Sequence, residues 1–162
     1  MAMTSYLQIE GKNQGAIEGD CTQKGHEKWI LVYGTEWNME IPRDTHTGLP
    51  TGQRIHHPYT VQKKLDPASP LLAQACASGE QMKKWQIDFH HISEKGQEEL
   101  YYTIQLENAI VVAIRQYKPL TFLDANKPYH DMEEVSFTYE KITWSHKKAN
   151  KEAIDDWKAP KA

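Results

Sequence analysis

The eight histidines are the side chains of this sequence most able to do chemistry, and they raise the question of a metal site. Four of them form the adjacent pairs His56-His57 and His90-His91, on segments with a strand-like pattern. Successive side chains of a strand point to opposite faces, so neither pair can converge on one ion. Asp88 and His90 share a face, but no third ligand stands at a metal-site spacing. The sequence therefore predicts no metal site.

Nucleophilic catalysis and phosphate binding lack a recognisable motif. No serine stands in a glycine-flanked turn, Cys76 falls on an apolar helix face, and Cys21 lies in a polar loop without an obvious base. The glycine-rich segment 11–19, GKNQGAIEG, has neither the spacing nor the following helix of a phosphate-binding loop. We therefore expect no catalytic residue, no cofactor and no enzymatic activity.

Composition narrows the possible partners. The chain has 162 residues, which suits one domain, and its formal net charge of -3 gives no basic surplus for a nucleic-acid backbone. It contains no run of about 18 apolar residues that could cross a membrane as a helix. The first residues, MAMTSYLQIEG, lack the basic start and the apolar stretch of a secretory signal. We expect neither nucleic acid nor a membrane as a partner, and any export to follow another route.

One short helix is the element that the sequence specifies best. Ser69 is predicted as its N-cap, Pro70 as its first helical residue and Gly79 as the left-handed residue that ends it. Its apolar face carries residues at a spacing of three and four, namely Leu71, Leu72, Ala75 and Cys76. A helix of about 10 residues is not stable alone, so we expect this face to pack on a sheet.

The other structured segments read as strands, because apolar residues recur in them at a period of two. The predicted strands are 5–10, 29–39, 55–65, 83–93, 100–114 with a kink near Asn108, and 135–144 with a change of phase near Glu140. Their number and hairpin connections predict a mainly β protein. The expected architecture is a compact β-barrel or sandwich of two packed sheets, with one short α-helix on its side and long extended loops.

Two of these strands are predicted to bury a continuous face. In strand 29–39 the odd-numbered residues from Trp29 to Met39 should face the core, which leaves Glu36 and Asn38 on the opposite, wet end. Strand 55–65 should bury one side and place Pro58 at an edge or a bulge. The members of that buried side are Ile55, His57, Tyr59, Val61 and Leu65.

Two long segments without periodicity, 41–53 and 118–134, are too long to be simple connections, and loops of that length tend to carry function. A single domain is predicted over residues 1–147, followed by a charged C-terminal tail over 148–162 that is mobile or ordered only against a partner. Trp157 within the tail is expected to anchor it to a groove of its own chain or of a neighbouring subunit.

A set of motifs, taken in order, resembles the Hcp (hemolysin-coregulated protein) family, the inner-tube proteins of bacterial type VI secretion systems. The central motif is TGQRIHHP at 51–58, followed by LDPASPLL at 65–72. The opening YLQIEG at 6–11, the segment ELYYTIQLENA at 99–109 and the ending EVSFTYEKITW at 134–144 match the same family. The resemblance covers roughly nine-tenths of the chain.

This resemblance implies a tail-tube-like protomer that forms a homo-hexameric ring, and rings that stack into a tube. The implied partners are the sheath, the spike protein and the effector proteins of the type VI secretion system, with the chain made in the cytoplasm and exported without a signal peptide. Glu36 and Asn38 become candidate lumen residues that face effectors. Loop 41–53 becomes the ring-stacking loop, with Asp44, Thr47, Gly48, Leu49, Thr51, Gly52 and Gln53 as its candidate residues.

The residues alone leave a second class of function open. A monomeric β-barrel could bind a small ligand or act as a metal-assisted hydrolase through its exposed histidines, His57, His90 and His91. That alternative predicts a concave pocket with convergent polar groups. The tube subunit instead predicts long loops and half-apolar faces that an assembly buries.

Overall fold

The computed structural model describes residues 3–159, and within them thirteen strands and one α-helix. The strands are β1 (Ser5–Gly11), β2 (Gly15–Ile17), β3 (Ile30–Val32), β4 (Gly34–Glu36), β5 (Met39–Glu40), β6 (Ile55–His56), β7 (Tyr59–Lys64), β8 (Met82–Ile92), β9 (Glu98–Glu107), β10 (Ile110–Tyr117), β11 (Met132–Thr138), β12 (Lys141–His146) and β13 (Lys151–Asp156). The helix α1 (Ala68–Ser78) lies between β7 and β8. The expectation of a mainly β chain with one short helix is confirmed.

The strands form two large antiparallel sheets and one small one. The seven-stranded sheet has the order β13-β12-β9-β8-β1-β2, with β3 also paired to β1. The four-stranded sheet has the order β10-β11-β7-β4, and β5 pairs only with β6. The predicted packing of two sheets is therefore confirmed, and the β5–β6 pair is a third sheet that stands apart from both.

The chain passes between the two large sheets at two polar corners. Asn108 has a φ of 53° and separates β9 from β10, which is the predicted kink. Glu140 separates β11 from β12 and accounts for the predicted change of phase, because the chain leaves one sheet there and joins the other. The Asn108 side-chain amide donates to Glu140 Oε2 at 2.8 Å, and the Glu140 N–H donates to the Glu107 carbonyl. These two hydrogen bonds therefore hold the two corners together.

The core lies between the two large sheets. The Trp85 ring packs edge-on against Tyr59 and Phe137, with ring centroids 5.1 and 5.5 Å away. The helix covers one side of the sheets through Leu72 and Ala75, both fully buried, and packs against β10. Burial of large aromatic and aliphatic side chains is the main source of stability in such a layer.

The start of the helix differs from the prediction, whereas its end agrees with it. Gly79 ends the helix in the left-handed region, with a φ of 68°. Ser69 is not the N-cap but the second helical residue, since the helix begins at Ala68, two positions before the predicted Pro70. The Asp66 carboxylate accepts the Ala68 N–H at 3.0 Å. The Ser69 hydroxyl is buried and accepts the Asp66 N–H. The prediction from the Ser69-Pro70 pair therefore placed the helix start two positions too late.

The predicted strand 29–39 is wrong as a single element. Ile30 and Val32 are buried, while Tyr33 is 44% and Met39 40% exposed, so the expected inner face is the outer one over much of its length. The physical reason is a change of partner: β3 pairs with β1, whereas β4 pairs with β7 in the other sheet. The inward and outward alternation of side chains restarts where the chain changes sheet. A single period of two applied across residues 29–39 therefore assigns the residues after the break to the wrong face.

The predicted strand 55–65 also breaks, at His57 and Pro58, because proline has no N–H to donate to a ladder. Ile55 and His56 belong to the small sheet, and the inward side of β7 continues through Lys63. Leu65, expected to be buried, is largely exposed. The glycine-rich segment 11–19 also contains a short strand, β2, which pairs with β1 as a hairpin.

Lys63 is fully buried, and its ammonium group is held by three side-chain oxygens in addition to the carbonyl of Lys64. Its Nζ lies 2.8 Å from Asp66 Oδ1, 2.9 Å from Glu133 Oε2 and 3.0 Å from the Ser69 hydroxyl. Ser69 in turn donates to Glu133 Oε2 at 2.7 Å. The cluster joins β7, the start of α1 and β11, so it fixes where the helix sits on the four-stranded sheet.

The segment expected to be a mobile tail is folded over its described part. Residues 151–156 form β13, which pairs with β12 along its whole length. Trp157 lies against His56 and Tyr139 of its own chain, with ring centroids 5.3 and 6.1 Å away. Of the two anchoring sites considered for Trp157, the groove of its own chain is therefore the one occupied. Residues 160–162 of the predicted tail lie outside the described part of the chain.

Candidate functional site

The segment expected to be an irregular loop is a projecting two-stranded arm. We define the arm as residues 39–56, from β5 through the turn to β6. Beyond the β5–β6 pair, an antiparallel bridge joins Arg43 to Pro50, and the Thr51 N–H donates to the Pro42 carbonyl at 2.8 Å. The arm thus has an internal ladder, although it adds to neither large sheet.

The candidate stacking residues cluster at the tip and on the returning leg of this arm. Asp44 Oδ1 accepts the N–H groups of His46 and Thr47, and these bonds lower the pKa of that carboxyl. Gly48 takes a φ of 73°, and Leu49 is 64% exposed at the tip. Thr51, Gly52 and Gln53 are exposed on the leg that returns to β6. An ordered tip with an exposed apolar side chain is suited to contact another protein surface.

Glu36 lies on the outer, polar face of the four-stranded sheet. It pairs with Thr60, which pairs in turn with Ser136, and the two hydroxyls lie 2.8 Å apart. In the next row, Glu134 accepts from Arg115 at 3.2 and 3.3 Å and from the Gln62 side-chain amide. This face carries hydrogen-bonding groups across all four strands, and Glu36 is its exposed end.

Asn38 does not share this face. It follows the end of β4, and its carbonyl accepts the His57 N–H at 3.0 Å, which places it at the base of the arm. Both Glu36 and Asn38 are exposed, but the strand alternation that paired them does not hold across residues 36–38. The structure therefore separates the two lumen candidates by element while keeping both at the same end of the sheet.

The histidines do not converge on a common point. His56 is buried and faces Tyr139 and Asp155, whereas His57 lies near the surface with its Nε2 3.0 Å from Glu40. His90 packs edge-on against Tyr6 and His26, and burial lowers its pKa. Within residues 3–159 no group of three or more His, Cys, Asp or Glu side chains is placed to hold a metal ion. In the same range no helix is long and apolar enough to cross a membrane.

Two features escaped the sequence patterns. The first is the ion pair between Arg54 and Asp155, which are 101 positions apart and which no short-range periodicity could join. The second is the outer edge of β10, where Val112 is 47% exposed beside a register shift in the ladder to β11. The bulge and the edge position both depend on strand pairing, so the sequence alone carries no signal for the second feature.

The comparisons with known proteins agree with one another. The family model described as "Type VI secretion system effector, Hcp" matches residues 6–146. The "Major exported protein" of Pseudomonas aeruginosa is 40% identical over 171 aligned positions, which cover 100% of this chain and 99% of that protein.

Solved structures show the same fold. The crystal structure of an Hcp protein superposes with a TM-score of 0.90 at 28% identity, covering 95% of this chain and 97% of that one. The secreted protein Hcp3 of Pseudomonas aeruginosa superposes with a TM-score of 0.79 at 34% identity, covering 96% and 99% of the two chains.

Proposed function

The chain belongs to the Hcp family of type VI secretion proteins, and we propose that it is the repeating subunit of the secretion tube, forming hexameric rings that stack. It is made in the bacterial cytoplasm and exported by the secretion machinery, as the name of its Pseudomonas aeruginosa relative suggests for that protein. Its other partners are the sheath, the spike protein and effector proteins. This function needs no catalytic residue and no cofactor.

The observation that carries ring formation is the pair of open edges on the four-stranded sheet. β4 and β10 are its outermost strands: among the described residues β4 pairs with β7, and β10 pairs with β11 and, at Ile110, through one isolated bridge with Gln81. Beyond Ile110 no further strand pairing occupies the outer edge of β10 among these residues. Unpaired N–H and C=O groups on an edge favour addition of another strand. Because the two edges differ, joining β10 of one copy to β4 of the next is a head-to-tail contact, and such contacts form a closed ring when the rotation between neighbours divides a full turn, as the proposed six-fold ring requires.

The opening of a six-membered ring of this kind is wide enough to hold a small protein. Six copies contribute about 24 strands, and at a spacing of about 4.8 Å they close a circle about 115 Å round and about 37 Å wide. Strand tilt widens this opening and side chains narrow it. A folded domain of about 100 residues has a radius of gyration of about 13 Å, so small effectors fit inside.

The polar outer face of the four-stranded sheet is the surface that we assign to the lumen. Its cross-strand groups, Thr60 with Ser136 and Gln62 with Glu134, offer hydrogen bonds without a large apolar patch. Glu36 lies on this face and Asn38 at its end, next to the base of the arm, and both are the candidate effector-facing residues. Repeated six times, weak polar contacts of this kind add up to useful retention while leaving the effector free to depart.

The arm is the element that we assign to ring stacking, and Leu49 is its most accessible apolar side chain. Replacing Leu49 with aspartate should leave the protomer and the ring intact but shorten the stacks, because burying a leucine contributes about 1.5–3 kcal/mol at each arm. Deleting residues 47–51 should have the stronger effect. Electron microscopy of purified rings, with stack length scored per particle, measures both changes.

Leu49→Met is the matched control, since it keeps an apolar side chain of similar volume and should stack like the wild type. Loss of the rings themselves in Leu49→Asp would show that the arm joins neighbours within a ring. Stacks of normal length in the variant lacking residues 47–51 would remove the arm from stacking altogether.

A further inference from the structure

We propose that the C-terminal strand β13 is a clamp that sets the direction of the arm, with Asp155 as its positioning residue. The inference rests on the proposed role of the arm in stacking, and it adds a segment that controls that role from outside the arm. The motif TGQRIHHP and the charged C-terminal segment, which lie about 100 residues apart in the sequence, meet at this clamp.

The arm itself makes few backbone contacts that attach it to the rest of the protomer. Its base is the two-residue pairing of β5 with β6, and neither strand joins a larger sheet. Met39, Ile41 and Ile55 are each at least 40% exposed, so apolar packing at the base is only partial. A two-stranded ribbon of this kind is marginally stable alone. Contacts from another element must therefore orient it.

Arg54, on the returning leg, supplies the first of these contacts. Its Nε and Nη2 donate to the two carboxylate oxygens of Asp155 at 2.8 and 3.0 Å, and Nη2 also donates to the Asp156 carbonyl at 2.6 Å. The two side chains are about 15% exposed. A two-pronged guanidinium–carboxylate pair fixes an orientation as well as a distance, which a single contact cannot do.

His56, whose side chain is fully buried, supplies the second contact. Its Nδ1 lies 2.7 Å from the Tyr139 hydroxyl, and its Nε2 lies 2.6 Å from Asp155 Oδ2. Trp37 Nε1 donates to the same hydroxyl at 2.8 Å. Burial raises the pKa of Tyr139 to about 12, so the hydroxyl stays protonated beside His56 Nδ1. On the other side of the ring, His56 donates its Nε2–H to the Asp155 carboxylate, which can only accept.

The same cluster therefore holds both legs of the arm. Trp37 precedes the outgoing leg, while Arg54 and His56 lie on the returning leg, and all three connect to Tyr139 or Asp155. The Arg54 guanidinium, and then His56, hold the pKa of the Asp155 carboxyl below its ordinary value, so it stays ionised near neutral pH. Because both legs of the arm are fixed at this one cluster, the cluster sets the angle at which the arm projects.

Asp155 lies on β13, an edge strand whose first four side chains, those of residues 151–154, are exposed and not part of the core. This strand is the outermost of the seven-stranded sheet. Its remaining inward contacts are with the arm base and with Tyr139, against which Trp157 packs. Loosening β13 should therefore release the arm and leave the sheets in place.

The test is hydrogen exchange of the arm in Asp155→Ala, measured by mass spectrometry on the full chain. Wild type and variants are compared at a dilution where light scattering gives them the same assembly state. We expect amides of residues 38–57 to exchange at least about ten-fold faster, because the variant loses three hydrogen bonds to the Asp155 carboxylate and loss of even one charge-assisted bond produces a change of that size. Peptides from β1 and β8 should be unchanged, and stacks should be shorter at high concentration.

Two further variants sharpen the test. Arg54→Lys keeps the charge but cannot make the two-pronged contact, so it should reproduce most of the effect. Glu152→Gln is the matched control, because Glu152 is on the same strand and, among residues 3–159, its side chain bonds Ser145 alone. The arm of this variant should exchange as in the wild type.

Unchanged arm exchange in Asp155→Ala would overturn the clamp. Faster exchange spread equally over β1 and β8 would also overturn it, since that pattern means a loss of global stability. A loosened arm with stacks of normal length would separate the clamp from stacking and count against the arm's proposed role instead.

Discussion

Replacing Lys63 with alanine is expected to lower the free energy of unfolding of the protomer by about 3–5 kcal/mol. The substitution leaves the Asp66 and Glu133 carboxylates in the core without the cation that they share, and both lie within 3 Å of its Nζ. Removing one partner of a buried ion pair costs more than the pair contributes, because the remaining charge cannot be solvated. Urea unfolding at one fixed protein concentration measures the change.

Lys64→Ala is the matched control, since Lys64 follows directly in β7 but pairs near the surface with Asp20. A surface ion pair is worth about 0–1 kcal/mol, so the control should unfold almost as the wild type does. A loss below about 1 kcal/mol in Lys63→Ala would mean that water reaches the cluster and that it does not fix the helix to the sheet.

Replacing Val112 with aspartate is expected to abolish rings while leaving the protomer folded. Val112 is nearly half exposed on the outer edge of β10, so an isolated protomer tolerates a charge there. In the proposed ring the same position is buried against β4 of the next copy, where an unpaired carboxylate costs several kcal/mol. Each ring contact should weaken at least about 100-fold, and light scattering should then report monomers.

Val112→Thr tests whether shape or charge decides the outcome. Threonine is close to valine in volume, branched at Cβ and uncharged, so it suits an edge strand and should keep the ring. Rings in the aspartate variant would place the contact between neighbouring copies on another edge. Aggregated or unfolded protein, detected by loss of the far-ultraviolet β signal, would mean that position 112 supports the protomer itself.

The sequence pattern predicts elements well where a strand stays in one sheet. Strand 83–93 alternates clearly, and Trp85 and Ile87 are buried as expected. Both corners, at Asn108 and Glu140, are visible in the sequence as a kink and a change of phase. Strand 29–39 is mispredicted because its break, at Tyr33 and Gly34, carries no proline and interrupts a run that remains largely apolar.

Tertiary contacts account for what the pattern cannot reach. A lysine on a period-two strand reads as a surface residue, and only Asp66 and Glu133, the latter 70 positions away, make Lys63 a core residue. The charged segment 148–159 has little periodicity, yet it forms β13 because β12 offers an open edge. The arm lacks apolar alternation, and its order comes from the turn around Asp44 and Gly48, two residue types that favour turns.

The arm residues could be located from the sequence, whereas their geometry could not. The resemblance to the Hcp family pointed to 41–53 as one functional segment, and its candidate residues do gather on one projecting ribbon. The control of that ribbon by Arg54, His56 and Asp155 depends on side chains brought together by folding. Their separation in sequence hides the connection.

The most direct test of the tube assignment is the solution mass of the purified wild-type protein by light scattering, with electron microscopy of the same sample. The account predicts particles of about six protomers with an open centre about 37 Å wide, and stacks of them at high concentration. A protein that remains a monomer at every concentration, and that shows no rings in the microscope, would contradict it.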